Sequence, residues 1–171
     1  MLRSLFARLT PRPAPGAPLF DAAVAIARRP HWYVQGEIAD TVDGRFAVLA
    51  TVLALITVRL EQGHASARAL SAALVERFVD VMDAEHRQMG VSDPSLGKQV
   101  RKLVGSLANR VELWRDALAR DGGHVEPVRA SLFRGAPPSE EALAHGAAST
   151  QALWSRLSQA DDETVALGKF V

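Results

Sequence analysis

The chain of 171 residues contains no cysteine. Disulfides, thiolate-bound metals, iron–sulfur clusters and thiol catalysis by this chain are therefore excluded. A surplus of charge is missing as well, because 20 lysines and arginines stand against 19 aspartates and glutamates. Without a net positive field, we expect no specific nucleic-acid partner. The 48% hydrophobic and 23% charged residues are typical of one folded domain.

Long hydrophobic runs are also missing. The most apolar stretch, residues 46–58, is bounded by Arg45 and Arg59. A helix that crosses a bilayer needs roughly 20 apolar residues, so this stretch is too short. We predict a buried helix here, and a chain that is soluble or at most peripheral to a membrane.

Two-residue alternation of strand length is absent, whereas 3.6-residue periodicity runs through most of the chain. The pattern predicts an all-α fold, a single helical domain of about six to seven helices. We expect Asp40 to cap the long apolar helix, which then ends near Gly63. We expect Ser66 and Ser139 to cap two later helices, the first of which stops at Gly90.

The first 18 residues differ from the rest of the chain. Apolar residues recur at helical spacing there, with arginines between them, and a proline-rich stretch follows at residues 11–18. We interpret residues 1–18 as a basic amphipathic segment with a Pro-rich linker, and residues 19–171 as the helical domain. The segment either rests on an anionic membrane surface, or it frays or docks on its own domain.

The sequence offers no catalytic or metal-binding constellation. Its five histidines are scattered without an HExxH pattern, and no serine lies in a nucleophile elbow. No glycine-rich loop matches a phosphate-binding pattern either. We therefore expect a protein that is not an enzyme and that uses no cofactor or metal.

Charged residues surround a glycine where the apolar helix begins, in the stretch DTVDGRF, residues 40–46. Asp43 lies where the second half of a capping box belongs and where the helix dipole favours negative charge. Arg45 lies one turn into a helix expected to be buried, and an unpaired buried charge costs several kcal/mol. We therefore expect Arg45 to be largely buried and paired with Asp80 or Asp83 of the next helix.

These stretches resemble the ubiquinol–cytochrome c chaperone family. The match of residues 40–46 to a DTxDGRF-like motif is the most specific part of the resemblance. A second part is MDAEHRQMGVSD, residues 82–93. Within it, Arg87 lies four residues after Asp83, a spacing that also allows a solvated ion pair on one helix.

The resemblance covers roughly residues 20–120 and departs from the family pattern in places. The family's aromatic Phe-Tyr-Gly-Arg-like element is replaced here by Leu107-Ala108-Asn109-Arg110. The structural or client-binding candidates that the two motifs contribute are Asp40, Asp43, Gly44, Arg45, Phe46, Asp80, Asp83, Arg87, Gly90 and Asp93.

The resemblance implies an all-helical, non-catalytic assembly factor for the cytochrome bc1 complex, which binds newly made cytochrome b or another bc1 subunit. It also implies a small partner protein and a ribosome contact, in the bacterial cytoplasm at the inner membrane or in the mitochondrial matrix. Two alternatives stay open: a helical carrier or enzyme for a lipid-like ligand such as a quinone or haem, and a structural adaptor. An open groove between helices favours the chaperone, and a closed apolar cavity favours the carrier.

Deleting residues 1–18 should leave the fold intact and weaken membrane association, because the segment carries an apolar stripe flanked by arginines. Flotation with anionic liposomes measures the difference. Equal flotation of the full-length and truncated proteins would rule out a membrane-binding role for this segment.

Overall fold

The computed structural model describes residues 15–88, 93–120, 123–133 and 137–170. Side chains are described for all of these residues except those in the range 85–96. These residues contain no strand, so the predicted all-α class is confirmed. Among the described helices, α2 and α8 are short, with 4 and 5 residues. The other six helices agree with the expected number of about six to seven. The helices in chain order are α1 (Ala17–Ala27), α2 (His31–Val34), α3 (Val42–Glu61), α4 (Ala65–Gln88), α5 (Asp93–Ala119), α6 (Val125–Leu132), α7 (Glu140–Gln159) and α8 (Asp162–Ala166).

Helix α3 is the centre of the core. Every side chain from residue 50 to residue 58 is buried, as expected for a helix that is apolar on all faces. Five helices, α1, α4, α5, α6 and α7, pack around it. Within the described ranges, no helix is both long enough and apolar enough to cross a membrane.

The start of α3 differs from the sequence-based expectation. Thr41, not Asp40, is the N-cap, and its hydroxyl accepts a hydrogen bond from the Gly44 backbone N–H at 3.2 Å. The capping-box position three residues after Thr41 is therefore occupied by Gly44. Asp43 remains in the first turn, where the helix dipole stabilises its negative charge.

The predicted burial of Arg45 is wrong. Its side chain is 65% exposed and pairs with Asp40, through Nε to Oδ1 at 2.6 Å and Nη2 to Oδ2 at 3.1 Å. The prediction failed because the first turn of α3 projects beyond the core, so a carboxylate five residues earlier lies within reach in solvent. Neither Asp80 nor Asp83 is the partner.

Two other predicted boundaries have different outcomes. Ser139 caps α7 by accepting a hydrogen bond from the Ala142 N–H at 3.0 Å, as expected. Ser66 does not cap α4, because that helix already begins at Ala65. Gly90 and residues 1–14, which include most of the proposed membrane-binding segment, lie outside the described residues, and the domain boundary at residue 18 stays a prediction.

One arginine ties the end of α3 to the C-terminal part of the chain. Arg59 donates from Nε to the Leu157 carbonyl at 2.9 Å and from Nη2 to the Ala160 carbonyl at 2.7 Å. Its Nη1 pairs with Asp162 Oδ1 at 2.9 Å, and Asp162 Oδ2 accepts the His64 backbone N–H at 2.8 Å. These hydrogen bonds hold the pKa of Asp162 below its ordinary value. The guanidinium therefore joins α3 to α7 and α8, and Asp162 links α8 to the α3–α4 turn.

Replacing Arg59 by alanine should lower the free energy of unfolding by about 2–4 kcal/mol, because two carbonyls lose a charged donor that is only 12% exposed. The control is Arg115→Ala, which removes a surface bridge to Glu61 and should cost under about 1 kcal/mol. Urea denaturation measures both values. If Arg59→Ala lowered the free energy of unfolding no more than Arg115→Ala does, the hydrogen bonds of Arg59 would contribute little to stability.

Candidate functional site

A groove with a volume of about 1000 Å³ lies beside the start of α3. One wall consists of residues 37–39 and the first turns of α3, and the opposite wall is residues 99–110 of α5. Leu132 and Phe133, at the end of α6, complete the lining. The groove opens to solvent, so it can admit a chain segment without first opening the core.

The groove combines an apolar floor with a polar rim. Apolar lining comes from both walls and from α6, and includes Ile38, Phe46, Leu103, Leu132 and Phe133. The exposed polar residues include carboxylates on the α3 side and an ammonium group on the α5 side, namely Glu37, Asp43 and Lys102. A groove of this kind can hold an amphipathic or apolar segment, while its rim stays hydrated.

The wall before α3 is fixed by backbone contacts with α2. The Gly36 N–H donates to the His31 carbonyl at 2.9 Å, and the Ile38 N–H donates to the Trp32 carbonyl at 3.3 Å. Trp32 is 2% exposed and anchors this turn in the core, with Nε1 donating to the Ile26 carbonyl at 3.0 Å. Residue 37 adopts a left-handed conformation between these two bonds.

Gly44 allows this wall to lie directly against α3. A Cβ atom at Gly44 would collide with the Ala39 carbonyl oxygen and would lie 3.2 Å from the Ile38 Cγ2 atom. A side chain of any size would therefore push residues 38–39 away from the helix. A glycine is therefore needed at this position of the DGRF motif because the backbone of α3 closely approaches the backbone of residues 38–39.

Arg110 is a buried cation at the base of the groove. Its side chain is 2% exposed, with Nη1 donating to the Ser106 carbonyl at 3.1 Å and to the Ser106 hydroxyl at 2.6 Å. Its Nη2 donates to the Ser131 carbonyl at 2.8 Å, and its Cζ lies 5.7 Å from the centre of the Phe46 ring. The guanidinium thus connects α5, α6 and the start of α3.

The structure brings only some of the predicted candidates together. Asp43, Gly44 and Phe46 line the groove, whereas Asp40 and Arg45 form their ion pair outside it. Asp80 and Asp83 lie on α4, and neither is among the described residues that line the groove.

The remaining candidates belong to a part of the chain whose side chains are not described. They are Arg87, Gly90 and Asp93, of which Asp93 is the first residue of α5. The roles of these candidates stay predictions.

Sequence reasoning missed Arg110 as a site residue. Its only signal was its place as the last residue of the divergent 107–110 element, since its partners on α6 and α3 are distant in sequence. Within the described part of the chain, no three His, Asp or Glu side chains converge as metal ligands would.

Gly44→Ala should lower the free energy of unfolding by about 1–3 kcal/mol, because the added Cβ overlaps a backbone carbonyl that cannot move freely. The matched control is Gly105→Ala on α5, where an added Cβ meets no atom within 4 Å and alanine favours the helix. Denaturant titration should show a loss for the first variant and no loss for the second. A fully stable Gly44→Ala protein would contradict this account of the motif.

Comparisons with known proteins agree with the resemblance seen in the sequence. The family model described as ubiquinol-cytochrome C chaperone matches residues 35–171. A crystal structure of the Cbp3 homolog from Brucella abortus superposes with a TM-score of 0.74, at 24% identity, over 98% of this chain and 94% of that chain, and shows the same fold. No curated protein matches the chain. The chain belongs to the ubiquinol–cytochrome c chaperone family.

Proposed function

We propose that this protein is an assembly chaperone for the cytochrome bc1 complex and that its groove binds an apolar segment of newly made cytochrome b. The observation that carries the proposal is the groove itself, an open cavity of about 1000 Å³ with an apolar floor and a charged rim. Its lining includes Asp43, Gly44 and Phe46 of the motif that carries the family resemblance.

The chemistry of the groove suits reversible binding of a membrane-protein segment. Before insertion, such a segment exposes apolar side chains that water does not solvate well, and an apolar floor can cover part of them. The opposite charges on the two walls give the segment an orientation more than they give it affinity. A floor that covers only one face of the segment also permits release, because the rest of the segment remains accessible to the membrane.

A carrier for a lipid-like ligand is the alternative function. A carrier encloses most of its ligand, whereas this groove is open to solvent. The described residues that line it include no histidine or methionine, which are common axial ligands of haem. These features favour the chaperone, and they give no support to catalysis at the groove.

The proposal includes action at the membrane surface, because the client is a membrane subunit. In a bacterium this surface is the cytoplasmic face of the inner membrane, and in a eukaryote it is the matrix face of the mitochondrial inner membrane. A small partner protein and the ribosome are further proposed contacts, and they rest on the family resemblance alone.

A glycine in the groove offers a direct test. Gly105 lies on the α5 wall with no atom within 4 Å of an added Cβ, so Gly105→Leu places a side chain in the groove without disturbing packing. Gly97→Leu, on the same helix but away from the groove lining, is the matched control. Both changes remove a helix-interior glycine and should raise stability by up to about 1 kcal/mol.

The variants are compared by rescue of a knockout strain. Loss of the gene should deplete cytochrome b and the bc1 complex, measured by immunoblot and by haem b absorbance of membranes. Wild-type protein and Gly97→Leu should restore both, and Gly105→Leu should not. Full rescue by Gly105→Leu would show that the client does not bind in the groove. Normal cytochrome b levels in the knockout strain itself would overturn the chaperone function and favour the carrier.

A further inference from the structure

A second cavity, of about 240 Å³, lies between the α1–α2 turn and one face of α7. Arg29, His31 and Trp32 line it from the turn, and no residue of its lining is shared with the large groove. His145 and Arg156 line it from α7. The proposed function does not use this cavity.

The α7 wall presents polar groups in a single row. His145, Ser149, Ala152 and Arg156 all line the cavity, and their spacings of four, three and four residues place them on one helix face. An imidazole, a hydroxyl and a guanidinium therefore line the same space from three of four successive turns, and Ala152 occupies the remaining turn.

A histidine pair joins the two walls. His31 Nδ1 lies 3.0 Å from His145 Nε2, and the Ser149 hydroxyl lies 3.4 Å from the same His145 nitrogen. The Trp32 ring, 4.7 Å from the His31 ring, shields one side of the pair. Burial, followed by the charges of His145, Arg29 and Arg156, lowers the pKa of His31.

Neither wall supplies a carboxylate to balance these groups. Residues 22–36 and residues 142–160 contain no aspartate or glutamate. Within the described residues, Arg29 and Arg156 make no ion pair or side-chain hydrogen bond, and every charged group that acts on His31 is cationic. Other arginines of the chain do have carboxylate partners, among them Arg45, Arg59, Arg115 and Arg120.

Two unpaired guanidinium groups, two imidazoles and a hydroxyl around one small cavity form an arrangement that suits an oxyanion. Guanidinium groups match phosphate oxygens in a bidentate manner, and the apolar backing of Trp32 and Leu153 strengthens such contacts by excluding water. The volume is large enough for a phosphate group with a short attachment and too small for a helix. We propose that this pocket binds a phosphate group, either free or as the headgroup of an anionic phospholipid.

The direction of the pH dependence follows from the histidine pair. An anion beside His31 favours its protonated form and opposes the lowering of its pKa by burial and by the three cationic neighbours. By linkage, an anion whose own charge stays constant binds more tightly when the imidazole is protonated, so its affinity should increase as the pH falls through the lowered pKa of His31.

The first experiment follows the histidine ring signals of the full chain by NMR while inorganic phosphate is added at constant ionic strength. The ring signals of His31 and His145 should shift saturably with phosphate. Sulfate, whose charge is constant over this range, should bind more tightly near pH 6 than near pH 7.5. Arg156→Gln should weaken binding by about tenfold or more, since one charge-assisted contact is lost. Arg28→Gln removes the same charge beside Arg29 but outside the lining, and should leave affinity within about twofold.

A second experiment distinguishes the sources of the phosphate group. Flotation compares Arg156→Gln with Arg28→Gln on phosphatidic acid vesicles and on phosphatidylcholine vesicles. Because the two variants have the same net charge, non-specific attraction to the vesicles cannot explain a difference between them. Weaker flotation of Arg156→Gln on phosphatidic acid alone assigns the pocket to a lipid headgroup. Equal flotation together with saturable shifts assigns it to free phosphate. Absence of saturable shifts together with equal flotation overturns the proposal.

Discussion

The burial of α3 on all sides is the constraint from which the rest of the structure follows. A helix with no polar face must be covered by neighbours around its whole circumference, and five helices provide that cover. The charged side chains of α3 are consequently confined to its two ends. At the C-terminal end Arg59 closes the core by binding two carbonyls and a carboxylate. At the N-terminal end cover is incomplete, and the groove lies there.

The same incomplete cover connects the fold to the proposed function. Phe46 extends the apolar surface of α3 beyond the region that its neighbours enclose, and it is only partly buried. Arg110 lies within 5.7 Å of that ring and holds α5 and α6 beside it. An apolar client segment placed here would continue the packing of the core, so the groove uses the forces that already hold α3.

The sequence predicted well what depends on local chemistry. Periodicity predicted the all-α class and the buried helix, and Ser139 was identified as a cap because an N-cap acts within three residues. Arg45 was assigned to the wrong partner because periodicity reports which face of a helix is apolar but not where its neighbours stop covering it. Asp40 was the nearer carboxylate, at 2.6 Å.

The missed features depend on contacts between distant parts of the chain. Arg110 gains its importance from Ser131, 21 residues away, and from Phe46 on another helix. The histidine pair joins positions 114 residues apart. In the sequence these histidines were simply two of five scattered ones, since no local pattern reports how α7 packs beside the α1–α2 turn.

The close approach at Gly44 also limits how the groove could adapt to a bound segment under the proposed function. Gly36 and Ile38 are held to α2 by backbone hydrogen bonds, and residues 38–39 lie in direct contact with the first turn of α3. Movement of that side of the groove would disturb its contacts with α2 and with the first turn of α3. The opposite side of the groove, on α5, has free space at Gly105, so widening of the groove is expected there. If the groove binds client segments as proposed, its adaptation would be one-sided, and segments of different width would be distinguished by how far α5 must shift.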